Sequence, residues 1–132
     1  MLASLHVKNL ILIEDCRIEF HPGLNVLTGE TGAGKSILVG ALSLLLGERG
    51  SADSAREPDK DVIVEAAFEL DPGSSPARTI RTLLDESGIP WEDGNLIVTR
   101  VFSPSGRNRI FLNNTQCLLK LLKEVGLLLV DL

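Results

Sequence analysis

Gly29-Glu30-Thr31-Gly32-Ala33-Gly34-Lys35-Ser36 is a complete G-x-x-x-x-G-K-[ST] loop, and its setting decides the fold. Before it, Leu24-Asn25-Val26-Leu27-Thr28 reads as a short buried strand bounded by Pro22-Gly23; after it, residues 37–46 are good helix formers stopped by Gly47. Strand, glycine loop and helix form the arrangement that this motif needs. The glycines let successive N–H groups turn inward onto phosphate oxygens, and the helix N-terminus adds a favourable dipole. Lys35 then reaches the outer phosphates as a point charge, and the Ser36 hydroxyl helps hold Mg²⁺. The stretch from Gly29 through Glu30, Thr31, Gly32, Ala33, Gly34, Lys35 and Ser36 to Ile37 is therefore expected to grip a nucleoside triphosphate.

The 132 residues suit one domain, and 44% hydrophobic content is enough for an ordinary core. His6, Lys8, Asn9, Glu14 and Asp15 interrupt the apolar N-terminus, so neither a signal peptide nor a membrane span fits, and a cytoplasmic location is the expectation. Cys16 and Cys117 stand alone, without C-x-x-C or histidine company, and read as reduced thiols.

A net charge of -5 argues against a chain that binds nucleic acid by bulk electrostatics. The charge is unevenly spread. Between Leu96 and Lys123 the charged residues are Arg100, Arg107, Arg109, Lys120 and Lys123, with no acid among them, whereas eight acids fall between Glu48 and Asp71. A basic surface that meets DNA phosphates and a solvated face balanced by acids elsewhere are both compatible with this pattern.

Along the chain, Leu5-His6-Val7, Ile11-Leu12-Ile13 and Cys16-Arg17-Ile18-Glu19-Phe20 look like strand material, with His21-Pro22-Gly23 as a turn. Residues 47–61 are rich in Gly, Ser, Asp and Pro and mark a surface loop. Residues 62–70 return to strand. Ser75-Pro76 opens a helix with Ile80, Leu83 and Leu84 on one face and Gly88 as its stop. Residues 95–102 and 109–112 form two strands joined by the Ser103-Pro104-Ser105-Gly106 turn. Asn114 or Thr115 is expected to cap a short helix ended by Gly126, and residues 127–132 to begin another buried strand. Early strands before the phosphate loop and antiparallel candidates after its helix suggest a mixed sheet beside the nucleotide core, unlike a compact kinase that alternates from its first strand.

Three segments together carry a more specific likeness: the opening Met1-Leu2-Ala3-Ser4-Leu5-His6-Val7-Lys8-Asn9-Leu10, residues 23–36, and Ala41-Leu42-Ser43-Leu44-Leu45-Leu46-Gly47-Glu48-Arg49. With Gly106-Arg107-Asn108-Arg109-Ile110-Phe111-Leu112-Asn113, they resemble the N-terminal head segment of the bacterial RecN family, DNA repair ATPases related to the SMC proteins. The resemblance runs over almost the whole chain. Arg56-Glu57-Pro58 departs from it, since the family tends to show an arginine followed by a small residue and glycine there.

That resemblance implies an α/β fold of the ABC/SMC head type, in which an antiparallel β portion packs beside the P-loop helix and the chain makes up part of a domain. Residues 1–132 would be the N-terminal lobe of a split head, truncated before the Q-loop. A coiled coil and a C-terminal lobe with the signature motif and the Walker B acids would lie beyond it. Two heads would dimerise around ATP and Mg²⁺, and the full-length protein would act on DNA in double-strand break repair, in a bacterial cytoplasm with nucleoid association open. The full-length protein would be an ATPase, with little or no turnover from this segment alone. The resemblance also brings Lys8 and Asn9 to the nucleotide, and Arg56 to ATP or DNA; Arg107 and Arg109 are the candidate DNA contacts.

No residue of the chain stands out as an activator of the attacking water, so none is assigned as catalytic; Glu30 reads as structural or as a partner contact. Two rival readings stay open. Leu127-Leu128-Leu129-Val130-Asp131 has the form of a Walker B strand, which would make a self-sufficient small phosphotransferase with Asp131 on the metal. The third reading is a non-enzymatic module whose surface is ordered by nucleotide.

Overall fold

The computed structural model describes residues 2–20, 32–50, 52–91 and 94–130, with backbone alone for residues 32–37 and 52. The glycine-loop positions Gly29, Glu30 and Thr31, the expected strand at residues 24–28, and Asp131 lie outside the described residues.

Six strands form one sheet. They are β1 (Leu2–Leu10), β2 (Ile13–Glu19), β3 (Val62–Glu69), β4 (Asn95–Phe102), β5 (Asn108–Leu112) and β6 (Thr115–Cys117), in the spatial order β2-β1-β3-β4-β5-β6. Every pairing among the described residues is antiparallel. The helices are α1 (Gly32–Leu45), α2 (Ser75–Glu86) and α3 (Leu119–Val130).

Strict alternation writes the core into the strands. The registers Leu5↔Ala66, Val7↔Val64, Ala66↔Val98, Val64↔Arg100 and Val98↔Leu112 stack the same face of four strands side by side. That face is buried, and it shares one hydrophobic cluster with Ala41 and Leu45 of α1, Ala77, Ile80 and Leu84 of α2, and Leu122, Val125 and Leu129 of α3. Each fully buried leucine or valine there contributes roughly 1.5–3 kcal/mol of transfer free energy.

The alternating stretches fold as their patterns predict. In α2 the Ser74 Oγ accepts from the Ala77 N–H at 3.3 Å, so the cap falls one residue before the expected Ser75. The helix ends before Gly88, whose φ is +70°. The β4–β5 connection is the expected turn, closed by Ser103 N–H to Arg107 O at 2.9 Å.

Three expectations are corrected. Ile11 and Leu12 are not strand: they form the tip of the β1–β2 hairpin, with Ile11 at φ 52° and Leu12 77% exposed. Asn114 does not cap a helix, because Asn113 (φ 48°) and Asn114 (φ 64°) make a two-residue hairpin turn that pairs Leu112 with Thr115 and creates β6. Residues 127–130 are not a strand either, since α3 runs through Gly126 to Val130. The cause is a close approach: a Cβ on Gly126 would run into the Leu46 carbonyl, so glycine is there to let α3 lie on the end of α1, not to stop the helix. The Walker B strand of the self-sufficient reading is thereby lost.

Candidate nucleotide-binding site

The last part of the glycine loop is helical. Gly32, Ala33, Gly34, Lys35 and Ser36 supply the opening of α1 and Ile37 continues it, so the first N–H groups of this 14-residue helix have no partner within it. Helix-opening N–H groups and the positive end of the helix dipole suit an anion. Among the described residues no group of three or more His, Cys, Asp or Glu side chains could hold a metal.

The other end of α1 is fastened several times over. Gly47 N–H donates to Leu44 O at 3.2 Å and Glu48 N–H to Ser43 O at 3.1 Å, with Gly47 at φ 110°. This is a Schellman ending. Arg100, buried on β4, donates through Nη1 to Leu44 O at 2.8 Å and to Glu48 O, and its guanidinium lies 4.7 Å over the Phe102 ring. Burial lowers the pKa of Arg100 from its ordinary value. Sequence reading left this residue among the surface cations, although positions 96, 98, 100 and 102 share one strand face, and that period was the available signal.

Lys8, Asn9 and Arg56 come together at the end of β1. Asn9 is 7% exposed with φ 57°; its Nδ2 donates to the carbonyls of Glu57 (3.0 Å), Lys60 (3.1 Å) and Asp61 (3.2 Å), and its Oδ1 accepts the Glu57 N–H at 2.7 Å. Arg56 N–H donates to Asn9 O at 3.2 Å, and Ile11 N–H to Ser54 O at 2.7 Å. The loop that carries Arg56 is thus clasped to β1. Arg56 Nη1 is 3.2 Å from Glu14, and Lys8 Nζ is 4.0 Å from Asp15, which also holds His6 at 2.7 Å. Lys60 and Glu57 pair at 2.9 Å, and this hydrogen bond lowers the carboxyl pKa and raises that of the ammonium.

The basic run of the sequence is dispersed. Arg100 is buried, and Arg109 lies 3.6 Å from Asp61. Arg107 stands exposed at the β4–β5 turn, and Lys120 and Lys123 are exposed on α3.

A sheet of antiparallel strands laid beside a helix that opens within the glycine motif is the fold of SMC-type heads. An SMC ATPase studied for ATP-driven dimerization and DNA-stimulated activation superimposes with a TM-score of 0.69 at 17% identity, covering 98% of this chain and 79% of that one. The Smc head domain from Pyrococcus furiosus, solved with an extended coiled coil and the C-terminal domain of ScpA, gives 0.67 at 17% identity over 96% of this chain and 32% of that one. The chain belongs to the AAA domain family, whose model matches residues 4–118. It is 39% identical over its full length to the DNA repair protein RecN of Bacillus subtilis, and spans 22% of that relative's length.

Proposed function

We propose that this chain is the N-terminal lobe of the ATPase head of a RecN-like DNA repair protein, binding ATP with Mg²⁺ through Gly29 to Ile37. Lys35 would hold the outer phosphates and Ser36 the metal. Neutralising charge on the transferring phosphoryl group is the larger part of such catalysis. The groups that activate water would come from a C-terminal lobe and a second head, so that ATP drives head dimerisation on DNA. Lys8, Asn9 and Arg56 would flank the nucleotide from the β1 end, with Asn9 acting through the loop that it holds; Arg107, and less so the paired Arg109, would meet DNA. A location in the bacterial cytoplasm belongs to the same reading. The observation that carries the proposal is that the G-K-S end of the motif forms the first turn of α1.

Calorimetry tests it. The 132-residue chain should bind Mg-ATP, and Lys35→Ala should weaken binding by at least about tenfold while leaving circular dichroism unchanged. Equal affinity in the variant would overturn the assignment. Turnover of the chain alone at about 1 s⁻¹ or faster would overturn the divided site.

A further inference from the structure

Arg100 carries more than the fold asks of it. The Schellman bonds already reach the Ser43 and Leu44 carbonyls, so the bond from Arg100 to Leu44 O is a second one on an acceptor that the backbone already uses. The guanidinium is nonetheless taken out of water, at 2% exposure, and its Nε has no hydrogen-bond partner among the described residues. Burying such a charge is costly unless something compensates, and a plain apolar side chain at this core position would avoid the cost. What an apolar residue cannot do is fix α1 along its own axis. Arg100 Nη1 grips Leu44 O inside the last turn and Glu48 O beyond it, so β4 holds both the helix and the chain leaving it. A cation there also meets the negative end of the helix dipole.

An α-helix of 14 residues is a rod about 20 Å long, so setting one end sets the other. The far end carries Lys35 and Ser36. We propose that Arg100 is a positioning residue for the nucleotide: it sets the axial position of α1 against β4, and through it the place of the phosphate-binding N–H groups and Lys35. This rests on the nucleotide reading above. It also makes β4, the strand that leads into the Arg107 turn, the element whose displacement reaches the phosphate loop.

The test separates position from stability. Arg100→Met fills the space without the bonds, and Arg100→Lys keeps the charge on a stem that delivers a point donor in place of a planar fork. Mg-ATP titrations of the full chain are run at a temperature where circular dichroism reports each variant folded. A purely structural role lowers the melting temperature and the number of competent sites and leaves the Kd of those sites untouched. The positioning role weakens Kd at undiminished stoichiometry, about tenfold for Met and about threefold for Lys. A Kd within a factor of 1.5 of the parent chain for folded Arg100→Met overturns the proposal. Should that variant not fold, the same result for Arg100→Lys overturns it. Absence of Mg-ATP binding by the parent chain removes the nucleotide reading and this inference together, whereas binding by the parent with unchanged variants removes this inference alone.

Discussion

The Glu57 N–H donates to Asn9 Oδ1 at 2.7 Å while the amide of the same side chain reaches back to the Glu57 carbonyl at 3.0 Å. One residue thus binds both polar groups of a residue 48 positions further on. Neither contact is with a regular element, so side-chain chemistry at the end of β1 adds to the backbone bonds of Arg56 and Ile11 in ordering this loop.

Replacing Asn9 with Ala removes four contacts, three of them shared between the two amide hydrogens, and leaves a part-buried Glu57 N–H without its acceptor. At roughly 0.5–1.5 kcal/mol for each bond, discounted for water that enters an exposed loop, the expected loss is about 2–4 kcal/mol. Asn9→Asp keeps the Oδ1 acceptor but sets a carboxylate against three carbonyls, and it should be no better. Urea denaturation gives the stability. Amide exchange at Glu57 should accelerate in both variants, and protection there as in the parent chain would refute the clasp.

Gly126→Ala inverts the usual helix ranking. In an isolated helix alanine gains about 1 kcal/mol over glycine. In α3 the added methyl meets the Leu46 carbonyl, and the variant should be less stable by about 1–3 kcal/mol. A higher urea midpoint would show that α3 does not rest on α1 at this residue.

Cys117 faces a half-buried site where burial pushes its thiol up to about 11. Since the thiolate is the nucleophile, labelling of Cys117 by a maleimide at pH 8 should be slow and should climb only as pH passes about 10. The folded value lies above the ordinary thiol value of 9.0, so the fold favours the protonated form. Its stabilising contribution is whole below pH 9 and is lost between pH 9 and 11. A Cys117→Ser chain should lack this part of the alkaline decline. If both chains lose stability identically across that window, the assignment of the raised value fails.

Arg107 is exposed and Arg109 is paired with Asp61, so the two should differ in any DNA binding. Arg107→Ala should lower the slope of log affinity against log salt by about 1, and Arg109→Ala by less. Equal slopes for parent and Arg107→Ala would exclude a phosphate contact there. Thermal stability should be nearly unchanged in Arg107→Ala, because the residue is exposed at the β4–β5 turn.

The elements readable in the sequence are those in which local pattern and tertiary demand agree. In β3 the series Val62, Val64, Ala66, Phe68 alternates cleanly, and α2 has a capping serine, a proline and a stop glycine at the right offsets. Reading failed where one residue type serves two purposes. Gly126 looks like a terminator because glycine usually is one, but here it makes room for a carbonyl of another helix, a fact that belongs to α1. Asn114 resembles a cap because asparagine favours both caps and left-handed turns. Ile11 and Leu12 are apolar enough for a strand yet sit at a hairpin tip, and nothing local announces it. At the site, the phosphate-loop motif is readable because its residues are contiguous. Arg100 is not, because its task is defined by carbonyls at Leu44 and Glu48 that only the fold brings to it.

The seam between β1 and β3 has a kinetic meaning. The pairings β1–β2, β3–β4, β4–β5 and β5–β6 join strands that follow one another, whereas the register from Leu2↔Phe68 to Lys8↔Ile63 closes only after the whole of α1 and its glycine loop has been synthesised. Local hairpins are quick to form and long closures slow, so this seam should be the late step of folding. The glycine-loop segment lies inside the closure, so on the nucleotide reading proposed above its site would be completed only when the first and third strands meet. A lesion in either strand, far from any phosphate, would then delay the moment at which a newly made chain can take up nucleotide.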